Sequence, residues 1–155
     1  MDPRFLSVAM LLQPDLERLL AAPAATTETL AKNVPTQGVY LFSEQERYLY
    51  VGRSNRLRAR IRRHGAEASK QNVAAFAFRL AREATGKTVA TYKTQGSRRD
   101  LVTDPLFARA FSDAKARIRR MSVRYIEETD QLRQALLEMY VALVLVTPYN
   151  DFDTH

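Results

Sequence analysis

Two tyrosines, Tyr40 and Tyr50, lie in a stretch that is rich in aromatic and β-branched residues. If both lie on one face of a β-hairpin, their phenol hydroxyls project together from one surface. A phenol is a poor base at neutral pH, because its reference pKa is about 10. An arginine or a metal ion beside the pair would favour the phenolate form and make acid–base chemistry accessible. The alternative interpretation is that these tyrosines simply suit strands and pack well.

Two apolar runs around a polar centre predict this hairpin within residues 38–52. With the turn centred on Gln45, the facing pairs are Tyr40 with Tyr50, Phe42 with Tyr48, and Gly38 with Gly52. The opposite face of the sheet then carries Val39, Leu41, Leu49 and Val51. An even-length turn would break this arrangement, because a slip of one residue moves a side chain to the other face.

The segment after the hairpin is strongly basic. No carboxylate occurs between Glu46 and Glu67, and Leu57 and Ile61 have the spacing that holds a short helix on a sheet. A solvated basic helix face is one interpretation, and a polyanionic partner that relieves the mutual repulsion is the other. The arginines of this segment are Arg53, Arg56, Arg58, Arg60, Arg62 and Arg63.

Glu138 is the only charged residue between Gln134 and Asn150. Its surroundings predict an apolar helix over residues 131–146 that is buried on most sides. A carboxylate in such a helix is costly unless a cation or hydrogen-bond donors compensate it. Three explanations stay open: an ion pair with a nearby arginine, an exposed stripe of the helix, or a metal ligand.

Together these residues resemble the core of the GIY-YIG nuclease superfamily. The matching residues are Gly-Val-Tyr at 38–40, Tyr-Val-Gly at 50–52, Arg60, His64, Glu138 and Asn150, with valine replacing isoleucine in both tripeptides. The matched segments are residues 36–65 and 121–150. The resemblance implies a small fold that mixes helices and strands (α/β in the broad sense, α+β in the strict one). Helices flank a three-stranded antiparallel sheet in it.

The resemblance also implies roles for the individual residues in cutting DNA. Tyr40 would be the general base, with relay help from His64 or Tyr50, and the roles of the two tyrosines could be exchanged. Arg60 would bind the scissile phosphate, Glu138 would hold Mg²⁺ or Mn²⁺, and Asn150 would orient a strand end or a phosphate. The expected function is a metal-dependent endonuclease. The alternative is a catalytically silent nucleic-acid-binding module on the same fold.

The regions outside the matched segments read as mainly helical. Residues 1–36 predict a helix begun at Asp2, a second begun at Pro14, and a short third over 26–35. This N-terminal extension could cover a sheet face, pair two subunits or contact DNA. Covering or pairing is favoured, because the segment is apolar and nearly charge-balanced.

Residues 66–120 form an insertion before a third strand predicted over residues 121–128. Ser69 is the expected start of one helix and Gly86 its end. Asp104 caps a second helix, and a short strand is predicted over 88–92. We expect further DNA contacts from this region, at Lys93, Arg98 and Arg99.

Composition limits the remaining possibilities. The 155 residues predict one domain, 1–155, and the lack of cysteine excludes disulfides and cysteine-bound zinc. A net charge of +7 favours DNA, double-stranded above all, as the partner. No apolar run is long enough for a membrane span, so we expect a cytoplasmic protein that does not bind membranes. A homodimer is left open.

Overall fold

The computed structural model describes residues 1–87 and 96–152 and has an α+β fold, which confirms the predicted class. Three antiparallel strands form one sheet, in which the first strand of the chain is central. No helix of the described part is both long and apolar enough to cross a membrane. The elements are α1 (Pro3–Ala21), β1 (Gly38–Glu44), β2 (Arg47–Ser54), α2 (Leu57–Gly65), α3 (Ala75–Thr85), α4 (Arg98–Leu101), α5 (Pro105–Arg120), β3 (Ser122–Glu127) and α6 (Gln131–Leu145).

Each face of the sheet has its own apolar cluster. Tyr40 and Phe42 of β1 belong to the cluster that includes side chains of α2, α3 and α5. Val39 and Leu41, which alternate with them, belong to the cluster formed with α1 and α6. The sequence of the third strand predicts Val123 and Tyr125 on one face and Ile126 on the other, and these residues do pack in the first and the second cluster respectively. The sheet therefore separates a layer of α2, α3 and α5 from a layer of α1 and α6.

The predicted register of the hairpin is wrong. Tyr40 pairs with Gly52, and Phe42 pairs with Tyr50. The turn is the even-length one, with Gln45 and Glu46 both at positive φ, of 50° and 64°. Such two-residue turns match the natural twist of the strands.

A β-bulge cancels the one-residue slip that this turn would otherwise cause. The register shifts between Phe42 and Ser43, so β2 carries one additional residue. Tyr40 and Tyr50 therefore share a face, as predicted. Leu49 and Tyr48 exchange sides: Leu49 packs with Tyr40, and Tyr48 packs in the other cluster.

The N-terminal extension contains one helix rather than three. Asp2 caps α1 as predicted, but the helix continues through Pro14. Leu12 and Leu16, on either side of this proline, pack in the same cluster, and this packing offsets the hydrogen bond that the proline removes. Residues 26–35 are not helical, because local threonine hydrogen bonds compete with helix formation there.

The insertion keeps most of its predicted helices. Gly86 ends α3 in the left-handed conformation with φ of 72°, and Asp104 caps α5, both as predicted. The first helix begins at Ala75 and not near Ser69, whose carbonyl accepts a hydrogen bond from Lys115 Nζ instead. The strand predicted at 88–92 lies outside the described residues.

Helix α6 is less buried than predicted. Its N-cap is Asp130, but Leu132, Leu143 and Val144 are exposed. Leu137 and Val141 pack towards the sheet, and no further layer of the described protein covers the outer face of the helix.

Candidate active site

A buried hydrogen bond joins the first motif strand to the basic helix. The Tyr40 hydroxyl lies 2.6 Å from His64 Nε2, and both side chains are buried, with Tyr40 only 1% exposed. Leu57 and Ile61 hold α2 on the sheet, which brings His64 over β1. Gly52 provides the space, because a Cβ atom there would lie 2.4 Å from the Tyr40 hydroxyl oxygen. The glycine of the second tripeptide is thus required by the phenol of the first.

Burial keeps both partners uncharged. It raises the pKa of Tyr40 well above its ordinary value, with the Tyr50 phenol adding to the effect and Arg60 opposing it. It also lowers the pKa of His64 well below its ordinary value, and the charge of Arg60 acts in the same direction. His64 is therefore a neutral imidazole at physiological pH, and its Nδ1 has no hydrogen-bond partner among the described residues.

Arg60 lies beside both tyrosines. Its positive charge lowers the pKa of each phenol, although burial dominates and leaves the pKa of Tyr50 raised. One guanidinium nitrogen donates to the Val73 carbonyl at 2.8 Å, which fixes the side chain from the segment before α3. The Tyr50 ring stacks on Phe76 with 4.8 Å between centroids and 9° between planes. The site is thus built from the sheet, α2 and α3 together.

Glu138 forms an ion pair. Its Oε2 atom lies 3.1 Å from Arg53 Nε, and its side chain is 21% exposed. Burial raises the pKa of this carboxyl, whereas the charges of Arg53 and Arg60 lower it. Of the three explanations for the charge in α6, the ion pair is the one that the structure contains.

The donor set around Glu138 suits only one kind of metal site. Within residues 1–87 and 96–152, no group of three or more His, Cys, Asp or Glu residues could enclose an ion. A single carboxylate nevertheless fits Mg²⁺, which keeps several waters and takes its other ligands from substrate phosphates. Zinc or calcium, which need more protein ligands, do not fit.

Asn150 holds the edge strand β2. Its Oδ1 accepts from the Val51 amide at 2.9 Å, and its Nδ2 donates to the Val51 carbonyl at 2.7 Å. Thr147 Oγ1 donates to the same Oδ1 atom at 2.8 Å. Of its two predicted partners, the structure shows the strand.

The other predicted DNA-binding residues have different environments. Arg56, Arg62 and Arg63 are exposed, as are Arg98 and Arg99 on α4. Arg58 instead donates to the carbonyls of Leu30 and Ala31 and ties α2 to the N-terminal segment. Lys93 lies outside the described residues.

Two residues of the site were missed in the sequence. Phe76 supports Tyr50, and Arg79 acts on the pKa of the same phenol. Arg79 also pairs with Asp151 at 3.0 Å and donates to the Tyr149 carbonyl, so it joins α3 to the segment after α6. Their i, i+3 spacing on one helix was the available signal, but it resembles ordinary core spacing.

The contacts around Tyr40 are the observations from which we infer a function. The relevant arrangement is the buried Tyr40–His64 pair with Arg60 beside it and the Glu138 carboxylate within electrostatic reach. No protein-family model, curated protein or solved structure matches this chain.

Proposed function

We propose that this chain is a metal-dependent endonuclease of the GIY-YIG type, which hydrolyses phosphodiester bonds of DNA in the cytoplasm. One observation carries the proposal. The Tyr40 hydroxyl is hydrogen bonded to a neutral His64 beside the guanidinium of Arg60. A proton acceptor next to a phosphate-binding cation is what hydrolysis of a phosphodiester needs.

In the proposed reaction, Tyr40 and His64 move a proton as a relay. The Tyr40 oxygen takes a proton from the attacking water while its own proton passes to His64 Nε2. A concerted transfer is favoured because burial opposes a free phenolate. The hydroxide oxygen forms the new bond to phosphorus, and the leaving oxygen departs with the electron pair of the bond that breaks and takes a proton from solvent. His64 then releases its extra proton, which restores the neutral pair.

Arg60 and Glu138 have electrostatic roles in this proposal. Arg60 would stabilise the charge that develops on the phosphate oxygens, for which its planar donor fork is suited. Glu138 would hold Mg²⁺ or Mn²⁺, which when bound would supply positive charge to the scissile phosphate. Because Arg53 occupies the same carboxylate, we expect weak metal affinity before DNA binds.

The proposed DNA surface lies along α2. Arg56, Arg62 and Arg63 are exposed there, and the chain carries a net charge of +7. Neutralising phosphates with such side chains releases counterions and supplies affinity that does not depend on sequence.

The second candidate function is a nucleic-acid-binding module without catalysis. The Arg53–Glu138 ion pair favours it, because a carboxylate neutralised by arginine needs no metal. The near-complete burial of Tyr40 points the same way, since water must reach its hydroxyl for hydrolysis.

Incubation with supercoiled plasmid separates the two functions. We expect nicked and then linear DNA with Mg²⁺ or Mn²⁺, and none with EDTA. Tyr40→Phe, purified in parallel, is the matched control, because it removes the hydroxyl and keeps the ring; it should leave the plasmid intact. Retarded migration without nicking under every metal condition would support the binding module instead.

A further inference from the structure

The exposed large apolar side chains are concentrated in one part of the described protein. All of them except Leu106 lie on α1, on α6 or in the residues that flank these helices. Exposed apolar side chains that are concentrated in this way favour a site of association over ordinary solvent-exposed surface. The side chains are Met1, Phe5, Leu6, Met10, Leu11, Leu132, Met139, Leu143, Val144, Val146 and Phe152.

The first part of this surface is the α1 arm, residues 1–11. The buried residues of α1 begin only at Asp15, and residues 1–7 are all exposed. None of the exposed apolar side chains of the arm packs in either apolar cluster of the described protein. Its only charged side chains, Asp2 and Arg4, pair with each other at 3.1 Å, so the arm is electrically neutral.

The second part is the α6 groove, a cavity of about 530 Å³ on the outer side of α6. Its lining includes Met139, Leu143, Val146 and Phe152 and contains no acidic or basic side chain. The groove is joined to α1 just after the arm, because Tyr140, which lines the groove, donates to Gln13 Oε1 at 2.7 Å. The arm therefore begins next to the groove of its own chain.

We propose that this surface forms a homodimer in which the α1 arm of each copy packs into the α6 groove of the other. A two-fold axis lets both exchanges occur at once, because the arm and the groove of one chain lie side by side. The groove has no charged side chain and the two charged side chains of the arm cancel, so two chains of net charge +7 can meet here without opposing like charges. The eleven residues of the arm and the eight that line the groove are together close to the roughly 20 residues a side that a stable interface uses.

A second copy fits this surface better than a membrane does. Helices that lie on membranes carry lysines and arginines along their polar face. The arm has a single arginine, Arg4, and Asp2 neutralises it. This inference does not depend on the proposed nuclease activity.

Sedimentation velocity of the full chain tests the proposal. We expect a dimer, at twice the 17.7 kDa of one chain, in the micromolar range. Met10→Glu and Leu143→Glu should each weaken the dimer roughly 10-fold or more, because each places a charge in an apolar contact. Both positions are exposed, at 69% and 77%, so circular dichroism and the melting temperature of the monomer should not change.

Leu106→Glu is the matched control, because Leu106 is equally exposed, at 76%, but lies on α5. It should leave the dimer intact. A monomeric wild-type chain would overturn the proposal, whether or not it binds lipid vesicles. So would a dimer that resists both the Met10→Glu and the Leu143→Glu substitution.

Crosslinking tests the exchange itself. The chain has no cysteine, so Met10→Cys and Leu143→Cys can be prepared separately and mixed. A short bis-maleimide should link the two variants in the mixture far more than it links either variant to itself. Self-crosslinking of Leu143→Cys at the same level would show that α6 faces α6, which contradicts the exchange of arms.

Discussion

At the scale of single residues, burial shifts the pKa values of both members of the Tyr40–His64 pair. Burial shifts the two pKa values in opposite directions, upwards for the phenol and downwards for the imidazole. Each shift favours the neutral form, so both side chains are uncharged in the resting protein. Arg60, whose charge lies beside the pair, favours a negative oxygen on Tyr40.

This burial predicts a pH dependence of stability. The unfolded chain binds a proton at His64 below about pH 6.5, whereas the native chain cannot until a much lower pH. Stability should therefore fall as the pH drops from about 6.5, by up to about 1.4 kcal/mol per pH unit from this residue. Urea denaturation of wild type and His64→Gln between pH 7 and 5 measures the difference in slope. Parallel curves for the two proteins would contradict the burial of a neutral His64.

Glu138 is the residue on which the proposed metal dependence rests. Glu138→Gln should lower the rate of metal-dependent cleavage at saturating DNA by roughly 10²-fold or more, because the amide is a poor metal ligand. The lost ion pair with Arg53 is partly exposed, so the free energy of unfolding should change by less than about 1 kcal/mol. Glu127→Gln, on the exposed end of β3, is the matched control. Cleavage at the wild-type rate by Glu138→Gln would remove this carboxylate from the site.

At the scale of elements, β2 carries much of the site's architecture. Its bulge returns Tyr50 to the face of Tyr40, and Gly52 leaves room for the Tyr40 hydroxyl. Asn150 pairs with both backbone groups of Val51 and so connects the segment after α6 to this strand. The edge strand β2 is thus hydrogen bonded to β1 on one side and to Asn150 on the other.

Gly52→Ala tests the packing of the hairpin. The new Cβ would lie 2.4 Å from the Tyr40 hydroxyl oxygen and 2.5 Å from Cζ, so the buried ring must move. We expect the free energy of unfolding to fall by roughly 1–3 kcal/mol, as for other overpacked cores. Chemical denaturation measures this loss, and the Tyr40–His64 hydrogen bond should break with it. An alanine variant as stable as wild type would show that the ring has another place to go.

At the scale of the whole molecule, some arginines of the basic segment bind other parts of the protein and others are exposed to solvent. Arg53 pairs with Glu138, and Arg58 donates to backbone carbonyls. Each guanidinium group therefore already has a partner within the protein. Arg56, Arg62 and Arg63 remain exposed. The chain therefore uses part of its basic segment to assemble the fold and offers the rest to solvent.

Arg60 and Arg56 should differ in what they contribute. Arg56→Ala should weaken DNA affinity and reduce the slope of log affinity against log salt by about one unit. Arg60→Ala should leave affinity nearly normal and lower single-turnover cleavage by roughly 10²-fold, as expected for a lost transition-state contact. Both quantities should be measured for both variants. If excess DNA rescued Arg60→Ala, Arg60 would be a binding residue only.

Several features of the fold follow from local sequence alone. Alternation predicted the faces of β3, and Gly86 and Asp104 predicted helix ends, because these signals depend on the nearest residues. The same holds for one part of the candidate site, since the spacing of Leu57 and Ile61 predicted that α2 packs on the sheet.

Other features depended on contacts between distant parts of the chain. Burial of the hairpin selected the bulge that restores the face of Tyr50, and packing on both sides of Pro14 kept α1 continuous. The partner of Glu138 is Arg53, far away in the chain, and only the packing of α6 beside β2 chose it from six neighbouring arginines. Apolar composition predicted that α6 is buried on most sides. Only the tertiary structure decided that one face of it is left to the solvent, because burial depends on what the rest of the chain brings there.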